Sequence, residues 1–222
     1  MKKVIIHCGF HKTASSSIQR TLFENEALLR KHKINLLKIK DAKGNFFINH
    51  SPPIVSAFMD NPDSFLENIK YNLNVKKENT KYISEIKSQI SSLANNETLL
   101  ISGEGISELS HNSMHDFTKL FIGFEILVIC YVRDSYGFYC SAIQERVKSG
   151  TLNLLNAPLL KRSQSANKLK KYFNNISFFS FSDACNYKGG PVKHFLDQII
   201  CNNEKFKIEK TNESISNKLT RL

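Results

Sequence analysis

Short apolar runs rich in β-branched residues alternate with longer segments of helical pattern along the chain, and this alternation restricts the possible folds more than any other feature. Strands are predicted at residues 4–8, 34–39, Thr98–Ser102, Glu125–Val132 and 176–181. The run EILVICYV at 125–132 is almost continuously apolar, which is typical of a central parallel strand covered on both faces. The pattern therefore predicts an α/β fold, a three-layer, doubly wound domain whose mainly parallel sheet is flanked by helices.

Helical periodicity fills most of the chain between these strands. The predicted helices are residues 15–31, 62–73, 81–93, 136–147, 152–172 with an interruption at Pro158, and a last one that ends near Ile200. Residues 40–53 have the Gly, Asn and Pro content of a loop, and the tail after Ile200 is polar. A length of 222 residues suits one domain over residues 1–222.

Composition excludes several classes of protein. The five cysteines are odd in number and lack the short spacings of a disulfide framework or a zinc ribbon, so they read as reduced thiols of a cytoplasmic protein. The apolar run after Met1 ends at His7, which is too short for a signal peptide, and no run is long enough for a transmembrane helix. The net charge of +11 has two readings, a surface that attracts polyanions or a Lys/Asn/Ile-rich background. It does not choose between nucleic acid, an anionic glycan and a polyphosphorylated cofactor.

In an open parallel sheet, ligands bind beyond the carboxyl ends of the strands. The segments that follow three of the predicted strands are residues 9–17, 103–107 and 133–141, and each is chemically distinctive. These three segments are therefore the candidate functional loops.

The first loop has the composition of an anion site. A lysine and a row of hydroxyls lie between a strand-ending glycine and a helix N-terminus, which offers unpaired N–H groups and a partial positive charge. The alternative is that a serine only caps the helix. A Walker A loop is excluded because no glycine precedes Lys12 directly. The candidate ligands of the anion are Gly9, Lys12, Thr13, Ala14, Ser15, Ser16 and Ser17.

This loop resembles the 5′-phosphosulfate-binding loop of sulfotransferases, which the bacterial branch writes as G-x-H-K-T-G-T-T-S-I-Q. Matches to that pattern occur at Gly9, His11, Lys12, Thr13, Ser17, Ile18 and Gln19, and Ser15 and Ser16 replace Thr by another hydroxyl. Ala14 stands where the family has Gly. If this position needs a positive φ angle, its methyl group strains the loop, and if it is right-handed helical, Ala costs nothing. The sequence leaves both open.

The third loop is similar to the family's 3′-phosphate motif, a strand that ends in Arg with Ser eight residues later. Here these residues are Arg133 and Ser141. A guanidinium grips a phosphate with two donors, and a serine on the next helix adds a third. An Arg-Asp pair after a strand can also be a surface ion pair. The continuations at 141–150 and 212–216 are similar to the bacterial branch as well.

The resemblance implies a base for the acceptor hydroxyl just after the strand that precedes the 3′-phosphate strand. Glu104 occupies that position, and a helix-capping or solvated glutamate is the alternative. His11, inside the phosphate loop, is a rival that can contact the sulfuryl group or only orient the loop, and His50 is placed to reach an acceptor. His7 is expected in the core. The remaining histidines, expected at the surface, are His32, His111, His115 and His194.

The resemblance implies a sulfotransferase that moves a sulfuryl group from 3′-phosphoadenosine-5′-phosphosulfate (PAPS) to a hydroxyl or amine acceptor and releases adenosine 3′,5′-bisphosphate (PAP). Lys12, His11 and Glu104 are its expected catalytic residues, no metal is expected, and residues 40–95 are an insertion on the acceptor side. A glycan or another small metabolite is the candidate acceptor, and nucleic acid is disfavoured. The alternatives are a non-catalytic basic module that binds nucleotide or nucleic acid, and a nucleotide-dependent phosphotransferase on the same P-loop-like scaffold.

Overall fold

The computed structural model describes residues 2–148, 162–200 and 205–210, so Cys201 and the sequence features at 149–161 and 212–216 lie outside it. Its sheet has the order β2-β3-β1-β4-β5, and every neighbouring pair is parallel. The strands are β1 (Lys3–His7), β2 (Ile34–Leu36), β3 (Thr98–Ser102), β4 (Glu125–Val132) and β5 (Ile176–Ser180). The predicted α/β class with a parallel sheet is confirmed.

Ten helices connect and cover the strands within the described ranges. In chain order they are α1 (Ser15–Glu24), α2 (Glu26–Lys31), α3 (Ser51–Phe58), α4 (Leu66–Lys70), α5 (Val75–Ser92), α6 (His111–Lys119), α7 (Ser135–Lys148), α8 (Arg162–Tyr172), α9 (Phe181–Asn186) and α10 (Gly190–Ile199). Short 3-10 turns lie at Pro62–Ser64 and Glu104–Glu108. No helix in the described parts of the chain is long and apolar enough to cross a bilayer.

Each face of the sheet carries its own apolar core, because successive residues of a strand point to opposite sides. Val4 of β1 packs with α3, α5, α6 and α8 on one face, and Ile5 packs with α1, α2 and α10 on the other. Ile54 of α3 and Phe195 of α10 are fully buried in these two cores. Burial of one such side chain contributes roughly 1.5–3 kcal/mol. The result is the expected three-layer arrangement.

Two of the cysteines lie side by side in the first core. Cys8 and Cys130 are buried thiols whose Sγ atoms are 3.3 Å apart. The hydrogen bond with Cys130, together with burial, raises the pKa of Cys8, so this thiol stays protonated. These cysteines pack as small apolar side chains, as the sequence predicts.

The helix predicted over residues 15–31 is divided at Asn25. The Asn25 amide donates to the carbonyls of Thr21 at 2.7 Å and Lys207 at 2.9 Å, while its oxygen accepts from the Lys207 N–H at 2.9 Å. This side chain therefore ends α1 and also holds residues 205–210 against it. Its competing hydrogen bonds explain the break, since Asn side chains readily replace helical backbone partners.

Other boundaries also differ from the prediction. The predicted loop at 40–53 ends earlier, because α3 begins at Ser51 with Pro52 and Pro53 in its first turn, where an N–H is dispensable. Helix α5 begins at Val75, six residues before the predicted start, and Asn74 caps it by accepting from the Lys77 N–H at 3.1 Å. Helix α6 was not predicted.

Candidate active site

The three candidate loops meet at one edge of the sheet. β1 lies between β3 and β4, and the register pairs His7 with Ser102 on one side and Ile129 on the other. Because all three strands are parallel, the segments that follow them emerge at the same edge. The Gly103 N–H donates to the His7 carbonyl at 2.9 Å, and the Phe10 N–H donates to the Tyr131 carbonyl at 3.4 Å. The first loop is therefore bonded to both of its neighbours.

The first loop turns through two left-handed residues. Lys12 has φ 68° and Ala14 has φ 60° and ψ 21°. This answers the question that the sequence leaves open: the position does require a positive φ angle, where a methyl group costs about 1–2 kcal/mol. Ala14 is also the N-cap of α1, and it has no side-chain group with which to cap the helix. The first N–H groups of α1 lack intrahelical acceptors, so they can bind an anion.

Gly9 lies where the loop folds back most tightly. A Cβ at this position would lie 3.2 Å from His7 Nε2, 3.2 Å from Thr13 Oγ1 and 3.5 Å from the Tyr131 backbone nitrogen. The first two distances are tighter than most Cβ contacts in proteins, so a larger residue would push the His7 and Thr13 side chains away by a few tenths of an ångström. Glycine is therefore favoured here by space.

The hydroxyls of this loop point in different directions. Thr13 is fully buried and donates to the Phe10 carbonyl at 2.5 Å, so its hydroxyl shapes the loop. Ser16 is exposed and Ser17 is buried. Ser15 is only 5% exposed, and its Oγ makes no hydrogen bond of ordinary geometry within the described ranges. Ser15 nevertheless lies near enough to Glu104 to help lower the pKa of that carboxyl, so its buried hydroxyl lies between the first and middle loops.

The first and middle loops meet through an imidazole held between two carboxylates. His11 Nδ1 lies 3.4 Å from Glu104 Oε1, and His11 Nε2 lies 2.9 Å from Glu108 Oε1. Hydrogen bonds with Glu104 and Glu108 raise the pKa of His11 to about 10. His11 is therefore an imidazolium at neutral pH and cannot act there as a base.

Glu104 is the more enclosed of the two carboxylates, with its side chain 19% exposed against 61% for Glu108. Burial raises the pKa of Glu104, but the hydrogen bond with His11 and the charge of His11 outweigh it, so the net pKa is lowered. Ser15 acts in the same direction. Sequence reasoning missed Glu108, because the segment forms a 3-10 helix that the sequence pattern did not predict, and α-helical spacing does not apply to it.

The loop that carries Glu104 is supported from beneath by the start of α3. The Gly105 N–H donates to Ser51 Oγ at 3.0 Å. A Cβ at Gly103 would lie 2.8 Å from the Ser51 backbone nitrogen, and one at Gly105 would lie 2.9 Å from Val55 Cγ2. The two glycines that flank Glu104 therefore let α3 pack directly against the loop.

The third loop touches the first through Arg133. Its Nη1 donates to the Lys12 carbonyl at 3.1 Å, and its guanidinium lies 5.3 Å from the centre of the Phe181 ring. Asp134 caps α7 by accepting from the Gly137 N–H at 2.7 Å. Ser141 lies partly exposed on α7 and makes no hydrogen bond within the described ranges.

Two buried histidines lie beneath these loops. His7 Nδ1 lies 2.8 Å from Ser102 Oγ, and His50 Nδ1 accepts from the Ser102 N–H at 2.9 Å. Both side chains are fully buried, and burial lowers the pKa of each to about 4. The core position predicted for His7 is confirmed. The prediction that His50 reaches an acceptor is wrong, because its ring is enclosed and bonded to the backbone of β3.

The other histidines were all predicted at the surface. His111 and His115 are exposed, as expected. His194 is not: it is half-buried and its Nδ1 lies 2.7 Å from the Tyr131 hydroxyl. In the parts of the chain that the structure describes, no group of three or more His, Cys, Asp or Glu side chains is arranged to hold a metal ion.

Comparisons with known proteins support the fold. No protein-family model matches the chain, and no curated protein matches it significantly in sequence. Among solved structures, the crystal structure of a sulfotransferase from Alicyclobacillus acidocaldarius is similar, with a TM-score of 0.54 and 10% sequence identity over 96% of this chain and 87% of that one. The chain therefore has the fold of that sulfotransferase.

Proposed function

We propose that this chain is a PAPS-dependent sulfotransferase that uses the edge formed by the three loops as its active site. The observation that carries the proposal is the junction of the first loop with its neighbours: Arg133 bonds to the Lys12 backbone, and His11 of the same loop contacts Glu104. These are the residues that the resemblance to sulfotransferases assigns to the two phosphates and to the reacting groups. A fold shared with a sulfotransferase is compatible with this assignment and does not by itself establish it.

A 5′-phosphosulfate fits the start of α1. The open N–H groups of the first helical turn, the buried Ser15 hydroxyl and the charge of Lys12 would bind its oxygens. Gly9 allows the backbone to turn beneath such a group, since a larger residue would meet Thr13. Lys12 would stabilise the charge that develops on the phosphate oxygen as the sulfur–oxygen bond breaks.

A 3′-phosphate fits the third loop, where the Arg133 guanidinium lies beside the first loop. Ser141, farther along α7, would supply a further donor. The Phe181 ring against the guanidinium fixes its direction. Selection of a 3′-phosphorylated nucleotide over ATP or AMP would come from this loop.

Glu104 is the proposed base. It is ionised at neutral pH and can accept the proton of the acceptor hydroxyl while the hydroxyl oxygen attacks sulfur and PAP departs. His11 is protonated and supplies positive charge beside the reacting groups. Glu108 holds His11 from its other side, so the imidazolium keeps a partner when Glu104 takes up the proton. We propose the cytoplasm as the location, where buried thiols such as Cys8 stay reduced.

The test is transfer of ³⁵S from labelled PAPS to a panel of hydroxyl acceptors. The Glu104→Gln variant is expected to lower kcat by about 10²- to 10⁴-fold, which is the usual contribution of a general base. Glu125→Gln is the matched control, because Glu125 lies at the opposite end of β4 and pairs with Lys3. Transfer at an unchanged rate in Glu104→Gln would remove Glu104 from the mechanism.

One observation favours a second candidate, a nucleotide-binding module without transfer. Ala14 is left-handed at the position where the sulfotransferase loop has Gly, so the phosphate loop departs from the pattern of that family. This candidate predicts PAP binding without any labelled product, in the wild type and in Ala14→Gly alike. Labelled product from the wild type would exclude it.

A further inference from the structure

A cavity of about 650 Å³ lies outside the proposed active site, and we call it the α4 cavity. Its walls are the 41–49 loop, the start of α3, helix α4 with the residues after it, and Tyr82 of α5. This volume lies within the range of pockets that bind small molecules in proteins. None of the roles proposed above uses this cavity.

Tyr82 supplies an unsatisfied polar group to the wall. The residue is 2% exposed, and its ring packs edge-on against Phe47 with centroids 5.8 Å apart. Within the described ranges its hydroxyl has no hydrogen-bond partner, and its oxygen is not sealed from solvent, so it faces the cavity. Buried tyrosine hydroxyls normally find a partner. A ligand hydroxyl would provide one.

Amide groups on the wall add directed donors and acceptors. The Asn49 oxygen already accepts from the Ser51 N–H at 2.8 Å and from Gln19 Nε2 at 3.3 Å, which leaves the Asn49 NH₂ group without a partner in the described part of the chain. Asn45 donates its backbone N–H and its side-chain NH₂ group to Asp41, so its side-chain amide oxygen is available. Groups of both kinds suit a ligand with several hydroxyls, since a hydroxyl both donates and accepts.

The charges of the wall oppose an ionic ligand. Lys43 and Lys70 are balanced by Asp41 and Glu67, which line the same cavity. Burial, followed by the charges of Glu78, Asp41 and Glu85, raises the pKa of Tyr82 to about 12. The three carboxylates contribute to this shift after burial, and their charges disfavour an anionic group beside the hydroxyl.

Tyr71 adds an apolar surface at the mouth of the cavity, where it is 56% exposed. The Lys70 ammonium lies 5.2 Å from the centre of its ring. An exposed aromatic face beside amide and hydroxyl groups can cover the apolar side of a ring compound while the polar groups bind its hydroxyls.

We infer that the α4 cavity binds an uncharged, hydroxyl-rich ring compound, namely a neutral sugar or short neutral oligosaccharide. The hydrogen bond between Asn49 and Gln19 joins the cavity wall to α1 one helical turn beyond Ser15. If the proposed function holds, on which this step rests, the sugar held in the cavity is the part of the acceptor that is not sulfated.

The test is binding of the full chain to an array of neutral and acidic oligosaccharides, with saturation-transfer NMR on the best neutral ligand. We expect neutral glycans to bind in preference to acidic ones. Tyr82→Phe removes only the hydroxyl and should weaken binding about tenfold, as expected for one lost hydrogen bond. Tyr187→Phe is the control, because the Tyr187 hydroxyl bonds to Asp197 on α10.

Three results would overturn the inference: no neutral glycan bound, acidic glycans bound more tightly, or equal affinities of the two tyrosine variants. A PAP titration of the same preparation separates this inference from the proposed function. Neutral glycan binding that depends on Tyr82 in a protein without PAP affinity supports the cavity assignment and refutes the proposed function. PAP binding without any neutral glycan binding supports the proposed function and refutes the cavity assignment.

Discussion

At the scale of single residues, Ala14 is where the chain departs most clearly from ordinary backbone preference. Its φ of 60° costs an L-residue about 1–2 kcal/mol, a cost that glycine avoids. Glycine also loses more backbone entropy on folding, roughly 0.5–1 kcal/mol. We therefore expect Ala14→Gly to raise the free energy of unfolding by up to about 1 kcal/mol, measured by urea denaturation.

Ala142→Gly is the matched control for this prediction. Ala142 lies in the middle of α7, and its replacement should lower the free energy of unfolding by about 0.5–1 kcal/mol. Equal losses of stability in both variants would show that Ala14 is not strained.

His11 offers a second test at this scale, because its protonation defines the chemistry of the site. NMR titration of the His11 ring should give a pKa near 10 in the wild type. Glu108→Gln and Glu104→Gln should each lower this pKa, since each removes a negative charge that stabilises the imidazolium. Glu24→Gln, on the exposed side of α1, is the control and should change nothing. Titration of the wild-type ring near its ordinary value of 6.5 would contradict the arrangement.

Which site residues the sequence could predict depends on the kind of information each one carries. Gly9, Lys12, Arg133 and Glu104 follow strand ends, and strand ends are fixed by apolar pattern. The direction of a hydroxyl is set by local dihedral angles, so the apolar pattern could not predict that Thr13 bonds to its own loop while Ser15 lies near Glu104. The assignment of all these site residues to PAPS stays a prediction.

At the scale of secondary-structure elements, the carboxyl end of β3 rests on two neutral histidines. His7 and His50 have pKa values of about 4 in the folded chain and about 6.5 in the unfolded chain. The unfolded chain therefore binds more protons below pH 6.5, and stability falls as the pH drops from 6.5 toward 4. His11 changes this slope only slightly, since it is protonated in the folded chain and mostly protonated in the unfolded chain below pH 6.5. Its contribution to stability is lost progressively as the pH rises from about 6.5 to about 10.

We expect the free energy of unfolding to decrease by about 3 kcal/mol between pH 6.5 and pH 5, which is the sum for two such histidines. His50→Asn keeps an acceptor for the Ser102 N–H and removes one titrating ring, so it should halve this decrease. His115→Asn, at an exposed position, should leave it unchanged. Urea unfolding at both pH values measures the effect, and a flat profile in the wild type would contradict the buried, neutral assignment.

Elements were predictable where one periodicity extended over many residues. β4 and α7 match their predicted bounds to within a residue or so, because both have long uninterrupted patterns. The break at Asn25 and the start of α3 at Ser51 depend on side-chain hydrogen bonds and on two prolines in a first turn. A proline pair marks a loop and a helix start equally well, so the sequence alone could not decide.

At the scale of the whole molecule, alternation of strands and helices was sufficient to predict the fold class. Sequence similarity was much less informative, since the solved sulfotransferase that shares this fold is only 10% identical. The net charge of +11 still has two interpretations, because charge spread over a surface describes no single site. The charged side chains that line the α4 cavity balance, so this cavity does not account for the excess.

The central claim is that the sheet edge where the three candidate loops meet binds a nucleotide with phosphates at both the 3′ and 5′ positions. Calorimetric titration with PAP tests this claim most directly. We predict a dissociation constant on the order of micromolar for the wild type, much weaker binding of AMP, and at least tenfold losses in Lys12→Ala and Arg133→Ala. Equal affinities for PAP and AMP, unchanged binding in Arg133→Ala, or no PAP binding by the folded protein would contradict the account.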